Sequence, residues 1–179
     1  MMAIASMQLE RASIADYESV LAFYKDVTDR TPGIADYAQW QCGKHPSAEG
    51  LKAIITDRSL YLYRNSGKIV GAMAVAMHQD NNYRAVEWSV KAADDEVAVL
   101  SILAVTPDFQ GSGIGAKMVQ EAISIAQKNN KKAIRLDTTA TNTPAQRLYK
   151  RLGFEYRGQQ HLLAENTGWI DFFYIEHLL

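Results

Sequence analysis

The sequence is short of several features that would each define a class. A single cysteine, Cys42, stands in 179 residues, so no disulfide framework can form, and without a CxxC partner it carries no metal-ligand signature. An excess of one charge is missing too: 19 basic against 20 acidic residues leave a net charge of -1, scattered along the chain. That argues against nucleic-acid or membrane-surface binding resting on electrostatics alone. No stretch reaches the ~18 to 20 uninterrupted apolar residues that span a bilayer. The start, Met1 to Met7, is mildly apolar but lacks a basic residue and soon meets Glu10 and Arg11, unlike a secretory leader. Repeats, linkers and low-complexity segments are absent. These absences predict one cytoplasmic domain over residues 1–179. Its partner is expected to be a small-molecule or peptide substrate, with no nucleic acid, membrane or metal involved, and a homodimer is left open.

What is present is a 47% hydrophobic composition, enough for one buried core. Gln8 to Arg11 reads as a short strand, followed by a helix capped at Ser13 or Asp16 that carries Val20, Leu21, Phe23, Tyr24 and Val27 and ends near Asp29. Thr31-Pro32-Gly33 breaks the chain before a loop or short helix over residues 34–45. Ser47 caps a second helix from Ala48 to about Asp57. Leu60 to Arg64 and Lys68 to Met77 form a hairpin about Asn65-Ser66-Gly67, and Ala85 to Val90 reads as a further strand or an extension of it.

Val97 to Val105 is the strongest strand. A glycine loop follows, then a helix from Ala116 to about Lys128 and a strand from Ala133 to Asp137, an order that makes the two strands parallel. Pro144 opens another helix with Thr143 as its cap, and Gly153 ends it. Two last strands are placed at Phe154 to Arg157 and Ile170 to Glu176. The expected class is α/β: a mixed sheet with antiparallel N-terminal strands and a parallel pair in its centre.

The glycine loop, Gln110-Gly111-Ser112-Gly113-Ile114-Gly115, opens a helix and so gathers free N–H groups and the positive end of a helix dipole at one spot, which is an anion site. A nucleotide P-loop fails, because the fifth residue after Gly111 is Ala116 and Lys117 is followed by Met118. A dinucleotide fingerprint fits formally, with Gly111, Gly113 and Ala116 matching GxGxxA and Asp137 ending the next strand. That alternative makes the chain an NAD(P)-binding oxidoreductase. Against it, Thr106 to Gln110 separate strand from glycines, and too little parallel-strand sequence flanks the unit.

Two sets of residues bear a resemblance to a known family. Leu103-Ala104-Val105-Thr106-Pro107 with the glycine loop, and Asn142, Ala145, Leu148-Tyr149 with Gly153-Phe154, resemble the core motifs of the GCN5-related N-acetyltransferases (GNAT). The resemblance covers about Val97 to Gly158 and implies a central parallel pair that splays beyond a bulge, with acetyl-coenzyme A (acetyl-CoA) as co-substrate. It implies that Leu103, Ala104 and Val105 meet the pantetheine through their main chain. Gln110, Gly111, Ser112, Gly113, Ile114, Gly115 and Ala116 would hold the pyrophosphate, Asn142, Ala145 and Tyr149 would line the cofactor, and Lys117 can reach a phosphate.

The implied reaction is attack of a neutral primary amine on the thioester, with Tyr149 as general acid toward the leaving sulfur. A proton passing from tyrosine (about 10) to a thiolate whose acid lies about 8.5 moves uphill by roughly 2 kcal/mol, so a hydrogen bond in the transition state is the firmer expectation. Some family members carry a basic side chain on the strand before the loop; the same-face positions here are Val99 and Ser101, which are no bases. Glu87, Glu96 and Asp171 are the candidate bases. By the same resemblance the acceptor pocket draws on Tyr17, Tyr24, Tyr37, Trp40, Trp88, Trp169 and Phe173. A silent acyl-CoA sensor is the non-enzymatic alternative.

Overall fold

The computed structural model describes residues 7–164 and 168–179. Seven strands form one sheet: β1 (Leu9–Arg11), β2 (Leu60–Asn65), β3 (Lys68–Ala76), β4 (Val97–Val105), β5 (Ala133–Thr139), β6 (Glu155–Ala164) and β7 (Gly168–Leu178). Their spatial order is β1-β2-β3-β4-β5-β7-β6, and only β4 and β5 run parallel. Five α-helices cover it: α1 (Tyr17–Arg30), α2 (Ile34–Tyr37), α3 (Ala48–Thr56), α4 (Ile114–Lys128) and α5 (Thr143–Arg151).

Alternation sorts the side chains onto two faces. Tyr61, Tyr63, Ala98 and Leu100 point to the face covered by α4, where Ile114, Met118, Val119, Ala122 and Ala126 are buried at helical spacing. Leu60, Leu62, Ala72 and Ala74 point to the opposite face and meet Val20, Phe23, Tyr24 and Val27 of α1.

The caps act as local chemistry dictates. Ser47 Oγ accepts the Gly50 N–H (3.1 Å) at the start of α3. At α5 the cap is Asn142, whose Oδ1 accepts the Ala145 N–H (3.2 Å), and Thr143 is the first helical residue instead. Gly153, at φ 87°, ends that helix as expected. Helix α4 begins two residues earlier than the apolar spacing indicates, because Gly113 at φ 91° already turns the chain.

The expected strand over Ala85 to Val90 is absent. β3 has β2 and β4 beside it and β4 has β3 and β5, so the segment can neither extend the hairpin nor pair with the strand that follows it. A 3-10 turn at Asn81–Ala85 leads instead into an irregular segment that lies over the sheet. The final hairpin is longer than its sequence pattern suggests: β6 is an edge strand whose Glu155, Arg157, Gln159 and His161 leave it without an apolar period.

A buried ion pair anchors the irregular segment. Arg135 on β5 and Glu176 on β7 are cross-strand partners, both 1% exposed, joined Nε to Oε2 at 2.9 Å. Arg135 also donates to the carbonyl of Val90 (2.8 Å) and to Gln79 Oε1 (2.7 Å), and its guanidinium lies 4.3 Å from the Trp88 ring centroid. Glu176 Oε1 accepts from Ser89, through both its N–H and its hydroxyl, and from Arg157 (3.2 Å). Breaking such a pair leaves an uncompensated buried charge. Glu176→Gln is therefore expected to lower unfolding free energy by about 3 to 5 kcal/mol, read from the urea midpoint.

Candidate active site

The central parallel pair parts company early. β4 and β5 are in register only over Val97–Val99 against Ala133–Arg135. Beyond them β4 bulges: Ser101 pairs with Ala74 but Ala104 pairs with Ala72, so two residues, Ile102 and Leu103, oppose Met73. Ile102 takes up the irregularity at φ 45°, a left-handed conformation that costs a β-branched residue on the order of 1 to 3 kcal/mol. The buried Tyr24 hydroxyl donates to the Ile102 carbonyl at 2.8 Å and helps to hold it there. The β5-facing backbone groups of β4 past Val99 consequently have no strand partner.

Two cavities of about 560 Å³ each open along this divergence. They share Trp40, Leu103, Asn142, Ala145 and Tyr149. Over both lies the chain of α2 and the residues after it, tied down where Thr139 Oγ1 (2.6 Å) and Thr141 Oγ1 (2.8 Å) donate to the Tyr37 carbonyl.

The first cavity runs along the glycine loop. Leu103, Ala104 and Val105 line it, as do Gln110, Gly111, Gly113, Gly115 and Ala116 from the loop and Asn142, Ala145 and Tyr149 from α5. Ser112 and Ile114 do not. The Ser112 hydroxyl turns back to the Phe109 carbonyl, and the Ile114 side chain is fully buried under the sheet. Lys117 is also turned away, its ammonium lying over the Tyr63 ring at 5.5 Å. Gln110 faces the cavity, but its amide bridges Thr31 Oγ1 and the Val105 carbonyl (both 3.1 Å), fastening the loop to α1 and β4.

The loop has the character of an anion cradle. Gly111 and Gly113 sit at positive φ, and no atom lies within 4 Å of where a Cβ would stand. The N–H groups of Gly111, Gly113, Ile114, Gly115 and Ala116 have no acceptor among the described residues. No acidic residue occupies the first turn of α4, and the nearby Asp108 is paired with Arg30 at 2.6 Å. Arg151, in the last turn of α5, is the one charged side chain lining this cavity. Sequence reasoning passed over it because a basic residue there equally suits the helix dipole.

The second cavity lies on the other side of Tyr149, and its carboxylate is Asp137. Arg135, Asp137 and Thr139 alternate along one face of β5, so Asp137 emerges where that strand has left β4. Tyr83, on the 3-10 turn, donates its hydroxyl to Asp137 Oδ1. Tyr83 is itself placed by Trp88, which stacks on it at 5.8 Å and donates to its carbonyl (2.7 Å). Burial raises the Asp137 pKa above the ordinary carboxylate range, while the Tyr83 hydrogen bond pulls it down. Tyr149, 7% exposed and packed on Phe154, has its phenol pushed upward, chiefly by burial and further by the charge of Asp137. No hydrogen-bond acceptor for its hydroxyl is found among the described residues.

The other expected residues fall elsewhere. Glu87 is exposed and lines neither cavity; Glu96 pairs with Lys132 (2.7 Å), and Asp171 with His161 (2.8 Å). The structure thus brings none of the three candidate bases to the site and brings Asp137 instead. Of the aromatic set, Trp40 and Tyr37 line the site. Tyr24 is core, Trp88 covers the Arg135 face, Trp169 stacks on His161 with 64% exposure, Phe173 packs on Tyr156, and Tyr17 donates to the Ala48 carbonyl.

The dinucleotide alternative is not favoured. A doubly wound fold needs several parallel strands, and here one parallel pair is flanked by antiparallel neighbours.

Comparison with known proteins agrees with this geometry. The model of the acetyltransferase (GNAT) family matches residues 17–154. An uncharacterized N-acetyltransferase of Methanocaldococcus jannaschii is 38% identical over 68 residues, which cover 38% of this chain and 30% of that protein. The chain spans between 16% and 33% of the length of the curated relatives compared. A GNAT-family acetyltransferase from Streptococcus agalactiae superposes with a TM-score of 0.80 at 16% identity, over 100% of this chain and 99% of that one. A Salmonella typhimurium acetyltransferase solved with its cofactor acetyl-CoA superposes with a TM-score of 0.65 at 18% identity, over 98% and 95% of the two chains. With the family model running from α1 to the end of the Asn142 to Phe154 motif, and the sheet splitting where the resemblance implies it should, this chain belongs to the GNAT acetyltransferase family.

Proposed function

We propose that the protein is an N-acetyltransferase that passes the acetyl group of acetyl-CoA to a primary amine by direct attack in a ternary complex. The observation that carries this reading is the shared position of Tyr149, in the wall between a cavity built for an anion and a cavity holding a carboxylate. Acetyl-CoA would supply an activated acetyl thioester, and the chain's own residues supply the rest.

The glycine loop's free N–H groups and Arg151 hold phosphate charge at one end of the first cavity. Leu103, Ala104 and Val105 offer the unpaired edge of β4 to the amide groups of the pantetheine arm. That aims the acetyl group at the junction of the cavities. An amine enters as its ammonium ion and must lose a proton before it can attack. Asp137 is placed to take that proton, directly or through a water, and its raised pKa brings it nearer the working range of a base. The Tyr149 hydroxyl, with no partner of its own, is free to hydrogen-bond the leaving sulfur. Because burial pushes its pKa up, full proton transfer is the less favourable route and hydrogen bonding the main contribution.

Thiol release from acetyl-CoA over a panel of amines tests the reading, with thermal shift against NAD beside it; stabilisation by NAD and not by acetyl-CoA would sink it. Tyr149→Phe is expected to lower kcat by about 10² to 10³ with the KM for acetyl-CoA nearly unchanged, measured by steady-state kinetics. Activity should fall on acidification as Asp137 gains its proton, at a pH above the ordinary carboxylate range. Tyr83→Phe removes a donor to the charged form, so the acid limb of the pH–rate profile should move to higher pH. The sign for stability is opposite. Ionising Asp137 is harder folded than unfolded, so Asp137→Asn should raise the melting temperature at pH 7, with the gain gone once both states are protonated below about pH 4.

A further inference from the structure

The two cavities differ in charge, and the difference bears on what the second one accepts. The first is lined by one cation, Arg151, and by no carboxylate. The second is lined, among the described residues, by Asp137 and by no lysine or arginine. Among the described residues its other acid–base groups are Tyr149 and His45. The His45 ring packs edge-on against Trp40 (5.9 Å between centroids), and loss of hydration lowers its pKa, disfavouring its charged form.

The walls are largely apolar, and the amides of Gln39 and Asn142 that share them carry no charge. Trp40, Ile54, Ile102, Ile170 and Phe172 surround the volume, and Ser101, Thr138 and Thr139 are its small hydroxyl groups. Thr139 already donates to the Tyr37 carbonyl, so it has no proton left for an anion. A carboxylate or phosphate on the acceptor would thus lie beside Asp137 without a counter-charge.

Resting on the acetyltransferase reading, we propose that the acceptor is a primary amine carried on a compact apolar or aromatic body bearing no anionic group, its ammonium drawn to Asp137 and its body held by Trp40, Ile170 and Phe172. An amino acid with a free α-carboxylate is disfavoured by the same walls. The volume of about 560 Å³ suits a small molecule of this kind.

The test is steady-state thiol release from acetyl-CoA with 2-phenylethylamine, aspartate, spermidine and a short neutral peptide with a free N-terminus. The kcat/KM for 2-phenylethylamine is expected to exceed that for aspartate by about 100-fold. Ser101→Arg, at an exposed position on the cavity rim, should narrow that ratio at least tenfold by giving the anion a partner. Equal or better use of aspartate, spermidine or the peptide by the wild type overturns the inference and leaves acetyl transfer standing. If no amine is turned over, calorimetry of the coenzyme A complex decides. Binding of 2-phenylethylamine that Asp137→Asn weakens keeps the cavity assignment while acetyl transfer falls, and no binding overturns the assignment.

Discussion

A sheet that must bond to itself in the middle yet leave room for a substrate meets a conflict, and here one residue carries the solution. β4 stays paired to β3 along its length, so it cannot simply bend away from β5; it takes on an extra residue opposite Met73. Ile102 enters the left-handed region to do so, a strain that persists only because its surroundings over-determine it. The Tyr24 hydroxyl on its carbonyl and the packing of Ile102 against the α1 side of the sheet are those surroundings. The bulge also changes the phase of the strand. Ala98 and Leu100 face α4 before it, and Leu103 and Val105 do so after it. The insertion lies within the stretch past Val99 where β4 has left β5, and Ile102 and Leu103 both line the second cavity there.

The second requirement is a wall for the space so opened, and β5 meets it with polar side chains on one face. Arg135, Asp137 and Thr139 would each be costly there without partners. Each instead fastens a different piece of irregular chain: Arg135 the carbonyl of Val90, Asp137 the hydroxyl of Tyr83, and Thr139 the carbonyl of Tyr37. The segments that close the site are therefore held by hydrogen bonds to the strand that bears the carboxylate. The ion pair of Arg135 with Glu176 is linked to Asp137 by contacts alone, the Arg135 guanidinium lying over Trp88 and Trp88 stacking on Tyr83.

How much of this is legible in the residues depends on the range of the interaction. The helices and the hairpin were legible because their signals are local: the apolar spacing of Val20, Phe23, Tyr24 and Val27, the Ser47 cap, the Asn65-Ser66-Gly67 turn. The glycine loop and Tyr149 were legible because motif spacing carries them. Asp137 was visible only as the acidic residue that completes the dinucleotide alternative, since its place beside the cavities depends on a divergence between strands that pair 36 residues apart, Val97 with Ala133. Glu87 was chosen on charge alone, and the Ala85 to Val90 alternation misled because β3 and β4, its neighbours in sequence, are already paired on both sides, which is a property of the whole sheet. Thr143 lost the cap to Asn142 by one residue, within the usual uncertainty of helix boundaries.

The charges of the two cavities then become one argument. On the proposed reading the cofactor's phosphates are anions, and the first cavity offers them backbone dipoles and one arginine, with Asp108 kept paired with Arg30 beside the loop. The proposed amine is a cation, and the second cavity offers it one aspartate and no competing cation among the described residues of the wall. Tyr149 stands where the two fields meet, buried, in the field of Asp137 and without a hydrogen-bond acceptor of its own among the described residues. Burial that raises its pKa also strengthens any hydrogen bond it gives to developing negative charge, since the same low dielectric acts on both. A phenol too weak an acid to surrender its proton is in this setting well suited to share it, and in the proposed reaction the apolar core formed by Phe154 and Leu148 matters as much as the hydroxyl itself.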